Sequence, residues 1–103
     1  METIKRNEIL AKLGGFVSVS NCESRNGRGS APNQFEIRFE HGRVFQSYRA
    51  LVAVKLDNDG RWYFSWYHDY SNTTSGYCTR YCGHDCRERR KMLERGEAVS
   101  IVD

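Results

Sequence analysis

The chain lacks the run of ~18 apolar residues that a membrane-spanning helix needs, and it has a single proline in 103 residues. Its first residues, METIKRNEILAKLGG, mix charges among the apolar positions and lack the uninterrupted apolar centre of a secretory signal. Both absences point to a cytoplasmic protein with reduced thiols and no membrane partner. No G-x-x-x-x-G-K-[ST] or G-x-G-x-x-G run occurs, which excludes the common phosphate-loop and dinucleotide motifs. Paired C-x₂-C knuckles are missing too, and with them the usual structural zinc pattern. The net charge of +3 falls short of a dense positive field, so it permits a nucleic-acid partner without arguing for one.

What remains is globular. Hydrophobic content of 39% and aromatic content of 13% support one modest core, and the length suits one domain, residues 1–103. Residues 3–13 read as a helix with Thr3 as N-cap and Gly14-Gly15 as its stop. Residues 16–21 form a first strand, and SRNGRGSAPN (24–33) is a long surface loop of breaker residues. FEIRFE then alternates Phe35, Ile37 and Phe39 against Glu36, Arg38 and Glu40, as a half-buried strand does. A hairpin at His41-Gly42 leads into RVFQSY and ALVAVKL, with a bend near Arg49.

DNDG (57–60) is a strong turn, and RWYFSWYH reads as one aromatic strand. That register places Trp62, Phe64, Trp66 and His68 on one face and Tyr63 and Tyr67 on the other. Beyond Tyr70 the period becomes helical: one short helix ends at Gly83, a second (86–95) starts after Asp85 and stops at Gly96, and AVSIV closes as a strand. The expected fold is α+β, an antiparallel meander of about five strands. An N-terminal helix and two short C-terminal helices pack on one of its faces.

Several stretches resemble one another's counterparts in a known domain family. NGRGSAPNQFEI, GRVFQSY, HDYSNTTSGY and RGEAVSIVD follow its pattern of Q-F-x-I, then F-Q-S-Y, then D-Y-S-x-T-T. The chain thus resembles a small uncharacterised domain family of bacteriophages and their hosts, over residues 14–103. The resemblance implies a phage or mobile-element origin and a common fold, and it carries no activity. By analogy of gene type it suggests an accessory factor that disables a host defence machine, with anti-CRISPR inhibition as the concrete version.

CTRYCGHDC (78–86) is the stretch that looks most like chemistry. Cys78, Cys82 and Cys86 repeat every fourth residue and would share one helical face, about 6 Å apart per turn. A helix break at Gly83 is the condition for Cys78, Cys82, His84 and Cys86 to meet on a zinc ion, with Cys22 and His68 as remote candidates. The plainer reading is three small thiols packing a helix against the sheet, and a redox pair is a third. A catalytic thiol requires a base and an orienting group. Cys82 or Cys86 beside His84 and Asp85 supplies the types, yet neighbours along a helix point in different directions. No enzyme activity and no cofactor are therefore expected.

Binding is the better use of these residues. Arg25 and Arg28 project from the glycine-bearing loop, and Arg87 and Arg90 lie on the outer face of the last helix. That helix carries Arg87, Arg89, Arg90, Lys91 and Arg95 against Asp85, Glu88 and Glu94. Tyr63 and Tyr67 complete the contact set, since arginine and tyrosine dominate interface energetics. The partner is expected to be a host protein or a protein–nucleic-acid complex. Two alternatives remain open, a small nucleic-acid-binding module and a zinc-stabilised domain.

Overall fold

The computed structural model describes residues 1–103. In chain order it contains β1 (Thr3–Lys5), α1 (Arg6–Leu13), β2 (Phe16–Glu23), β3 (Ser30–Phe39), β4 (Gly42–Ser47) and β5 (Ala50–Leu56). Then follow β6 (Trp62–Ser65), a 3₁₀ turn (Trp66–Asp69), α2 (Asn72–Cys82), α3 (Cys86–Arg95) and β7 (Ala98–Val102). The fold is α+β, as the alternation implied, but the sheet is larger and mixed. Seven strands run in the order β1-β7-β6-β5-β4-β3-β2.

β2 through β6 form the antiparallel meander. The strand count rises because both chain ends join one side of it. After α2 and α3 cross over, β7 returns parallel to β6, pairing Trp62 with Ala98 and Phe64 with Ser100. β1 then pairs parallel to β7, with Ile4 beside Ile101. Parallel pairing needs a crossover rather than a tight turn, so local sequence does not announce it. Thr3 is consequently a strand residue, Lys5 occupies the N-cap position without a side-chain cap, and α1 is shorter than expected. β7 is an interior strand, and the two edges of the sheet are β1 and β2.

Helices cover both faces of the sheet. On one, Ile9 and Leu13 of α1 pack on Val44, Leu51, Val54, Leu56, Tyr63, Val99 and Ile101. On the other, Cys78 of α2 and Leu93 of α3 pack on Phe45, Val52, Ala53, Trp62, Phe64 and Ala98. Central strands buried on both sides read as continuous apolar runs, which is why LVAV shows no alternation. A bulge makes the register work: Phe45 pairs with Ala53 while Gln46 pairs with Leu51. Val52 is the extra residue, and it joins Ala53 on the α2–α3 side. Burying each large apolar side chain here contributes roughly 1.5–3 kcal/mol.

Gly42 shows how closely α1 approaches. A Cβ there would sit 2.6 Å from the Lys55 carbonyl oxygen and 2.8 Å from Leu13 Cδ2. The β3–β4 turn is Glu40-His41, one residue earlier than the sequence suggested. The stretch read as a long loop is a hairpin whose connection is residues 24–29, because β3 already begins at Ser30. Asn26 Oδ1 organises its turn by accepting from Ser24 Oγ and the Arg28 amide, each at 2.9 Å. The expected ends of α2 at Gly83 (φ 81°) and α3 at Gly96 (φ 75°), and the Asp85 cap of α3, are all present. At the other end α2 is capped by Ser71, whose Oγ accepts from the Thr74 amide at 3.1 Å.

Candidate functional site: an aromatic rim beside a buried arginine

The strand RWYFSWYH stops at Ser65. Its hydroxyl donates to the Leu51 carbonyl at 2.5 Å and accepts from the Tyr67 amide at 3.3 Å, so it caps a 3₁₀ turn. A serine with three further polar or aromatic residues before an aspartate is an N-cap signal as well as a strand segment, and the cap wins. The consequence is large. Trp66 swings out of the sheet face and is 58% exposed, and Tyr70 after the turn is 67% exposed.

These rings form a cluster on the surface. Trp66 stacks on Tyr67 with centroids 4.1 Å apart, and Tyr70 meets Trp66 and Tyr67 edge-on at 5.3 and 5.9 Å. Tyr48, 57% exposed, faces them across a cleft of about 370 Å³ whose walls include Ser47, Arg49, Tyr67, Tyr70 and Thr74. The Ser47 and Thr74 hydroxyls are hydrogen-bonded to each other at 2.9 Å. A second cleft, about 250 Å³, shares Arg49 and Tyr67 with the first and adds Trp66 and Arg6. No carboxylate side chain lines the first cleft, and Asp103 is the acidic residue of the second.

Tyr48 holds an unusual backbone. Ser47 pairs with Ala50, so Tyr48-Arg49 is a two-residue hairpin turn, and Tyr48 takes φ 55° at its first position. Glycine is usual at such a position. Its amide donates to the Asn33 carbonyl at 2.6 Å, and its carbonyl accepts from Gln46 Nε2 at 2.7 Å, which fixes the conformation. A large side chain kept in the left-handed region costs free energy of order 1 kcal/mol, and such strain clusters at functional sites.

Behind the rim lies Arg89, the largest fully buried side chain of the protein. All five guanidinium N–H groups donate to neutral acceptors. Nε reaches His68 Nδ1 at 3.0 Å, and Nη1 reaches Thr79 Oγ1 at 2.9 Å and the His84 carbonyl at 2.7 Å. Nη2 reaches the His68 carbonyl at 2.9 Å and Ser75 Oγ at 3.0 Å. The group ties together the 3₁₀ turn, α2 and the link between α2 and α3. Because Nδ1 of His68 accepts, its ring proton sits on Nε2. Burial, reinforced by the neighbouring Arg89 and Arg90 charges, holds His68 below the ordinary histidine range despite the opposing Asp69 charge.

The expected contact residues scatter. Tyr63 is 4% exposed, packs under α1 and bonds Asp59 through its hydroxyl, so it is a core residue and not a contact. Burial first, then that hydrogen bond, pushes its phenol up to about 12. Tyr67 does belong to the rim, half-buried, although on a turn and not on a strand face. Arg25 and Arg28 are exposed as expected. Arg25 is tethered, its guanidinium carbon 5.9 Å from the Tyr77 ring centre and its amide donating to the Tyr77 hydroxyl at 3.2 Å. Arg87 is exposed, and Arg90 is exposed but donates to Asp69 Oδ2 from Nε at 3.0 Å and Nη2 at 2.8 Å. Burial tends to raise the Asp69 carboxyl, and these bonds with the nearby positive charge outweigh it, leaving it below its usual range. Asp69 therefore anchors α3, while capping of α2 falls to Ser71.

The cysteines are all free. Cys78 is buried under the sheet and Cys82 packs beside it, whereas Cys86 turns toward Asp69, its Sγ 3.9 Å from Oδ2. Cys82 Sγ lies 3.5 Å from the His84 carbonyl oxygen. The hydrogen bond between Cys78 and Cys82, together with burial, raises the first thiol, and the same bond lowers the second. No three His, Cys, Asp or Glu side chains converge in a way that would hold a metal ion. His84 instead bonds Glu88, so Cys78, Cys82, His84 and Cys86 do not form one donor set.

A family model matches residues 15–97, most of the chain. The chain belongs to DUF8033, a family of unknown function. No curated protein and no solved structure matches it. No helix is long and apolar enough to cross a membrane.

The rim residues absent from the expected set are Tyr48, Arg49, Trp66, Tyr70 and Arg6. Two signals for them exist in the sequence: QSYR turns a hairpin without glycine, and Ser65 interrupts an aromatic strand.

Proposed function

We propose that this DUF8033 member is a non-enzymatic binding protein that grips its partner through the Tyr48–Trp66–Tyr70 rim. The observation that carries this reading is the exposed, mutually packed Trp66–Tyr67–Tyr70 cluster, which faces Tyr48 on its strained turn beside Arg49. Tyrosine, tryptophan and arginine are the residues that dominate binding energy, and rigid rings lose little entropy on contact. Two pairings support the non-enzymatic reading: His84 bonds Glu88 and His68 bonds Arg89, and neither imidazole bonds a thiol.

The resemblance to a domain of bacteriophages and their hosts supplies the direction of the proposal. The protein acts in the host cytoplasm as a phage or mobile-element accessory factor. It occupies a surface of a host protein–nucleic-acid machine, and inhibition of an anti-CRISPR kind is its concrete form. A pull-down from host lysate with the tagged chain tests this, run beside a Trp66→Ala/Tyr70→Ala variant. The expected result is one defined complex captured by the wild type and lost with the variant. Equal capture by both proteins, or by neither, rejects the rim as the binding surface.

A further inference from the structure

We infer that the rim binds single-stranded nucleic acid, its rings stacking on bases while Arg49 and Arg6 take the backbone phosphates. This rests on the reading of the rim as the binding surface and names what the rim contacts within the partner.

Three observations lead there. The first is the kind of surface offered. Trp66, Tyr70 and Tyr48 each leave more than half of their area in water; Tyr48 and Tyr70 wall the first cleft, Trp66 packs against Tyr70 and walls the second, and a flat base has a π-face for each of them. Duplex bases are already stacked on one another, so only an unpaired strand can present those faces.

The second is charge. Arg49 lies at the junction of the two clefts and Arg6 lines the second, both exposed, with no acidic side chain in the first cleft. On α3 the exposed Arg90 is already paired with Asp69. Arg49 and Arg6 take part in no ion pair, so their charge is free for a polyanion.

The third is polarity inside the cleft. The Ser47, Ser71 and Thr74 side chains bring hydroxyls to walls otherwise made of rings. Ser71 caps α2 and Ser47 is bonded to Thr74, so their remaining lone pairs and protons suit the mixed donor and acceptor edge of a base.

Intrinsic fluorescence gives a direct test. Trp66 is exposed and Trp62, the other tryptophan, is only 8% exposed. The full chain is titrated with a fluorescein-labelled oligothymidylate at low salt, following both anisotropy and tryptophan emission. Binding with quenching is expected, and a Trp66→Phe variant should lose the quenching while keeping most of the binding. Tyr70→Ala is expected to weaken binding about tenfold or more. Arg49→Ala should make the slope of log affinity against log salt shallower by about 0.7.

A duplex of the same length should bind at least tenfold more weakly. Circular dichroism on each variant confirms that it is folded, and the exposed positions make that the expected result. No anisotropy change at low salt overturns the inference, and so does binding that is indifferent to Tyr70 and Arg49. If oligonucleotide fails while the lysate pull-down still depends on Trp66 and Tyr70, the rim contacts protein and only this inference falls. If both fail, the rim is not a binding surface at all.

Discussion

Arg89 and the Trp66–Tyr70 rim invert the usual distribution of residues in opposite ways, one a charge in the core and the other large rings in water. They differ in what completes them. The guanidinium has every donor matched by this chain's own oxygen and nitrogen atoms, so its burial is an internal matter of assembling three elements. The rings are packed on one another only at their edges and on one face, and nothing in the chain covers the rest. A residue in the wrong place with all its partners is structural. One without them is looking for a partner.

The contrast breaks most visibly at Arg89. Arg89→Met removes the charge and leaves acceptors on His68, His84, Thr79 and Ser75 unpaired, so a loss of about 3–5 kcal/mol in unfolding free energy is expected. A urea denaturation curve measures it, and a midpoint within experimental error of wild type would show the cluster to be dispensable. At the rim the expected pattern is reversed. Trp66→Ala and Tyr70→Ala should change stability by no more than about 0.5 kcal/mol while costing most of the partner binding.

Acid sharpens the comparison. His68 is held neutral in the fold with its proton affinity lowered, so the unfolded chain binds a proton there more readily. Stability from this group is therefore intact above the unfolded value of about 6.5 and is lost as pH falls below it. Protonating Nδ1 would also set two N–H donors against each other across the Arg89 contact. Melting temperature should fall between about pH 7 and pH 5, and His68→Asn, which keeps an acceptor, should flatten that fall. A wild-type melting temperature that stays level across this window contradicts the assigned tautomer.

Tyr48→Gly separates strain from function at the rim. Relief of the left-handed backbone should raise stability by up to about 1 kcal/mol, less the entropy that glycine adds to the unfolded chain. Binding should weaken, since one wall of the cleft is gone. The smallest effect concerns metal: a chelator should leave the melting temperature unchanged, and a clear drop would restore a zinc site among Cys78, Cys82, His84 and Cys86.

Where local physics decides an element, the sequence spelled it out. FEIRF and GRVFQS carry their strand pattern openly, DNDG turns, Asp85 caps, and Gly83 and Gly96 stop helices because only glycine takes that backbone without cost. Where a distant partner decides, it did not. TIK is a strand only because β7 lies beside it, and β7 lies there only because α2 and α3 carry the chain across the sheet.

Tyr63 and Trp66 are both aromatic residues of one run, and nothing within that run says which is core and which is surface. Ser65 settles it by bonding the Leu51 carbonyl on the neighbouring strand, a contact fourteen residues away in sequence. Arg89 was indistinguishable from its charged neighbours Glu88 and Arg90 until three elements closed around it. The sequence determined the alternation, the caps and the turns. Tertiary structure decided which charge could be buried and which rings were left out, because both depend on partners that only the folded chain brings together.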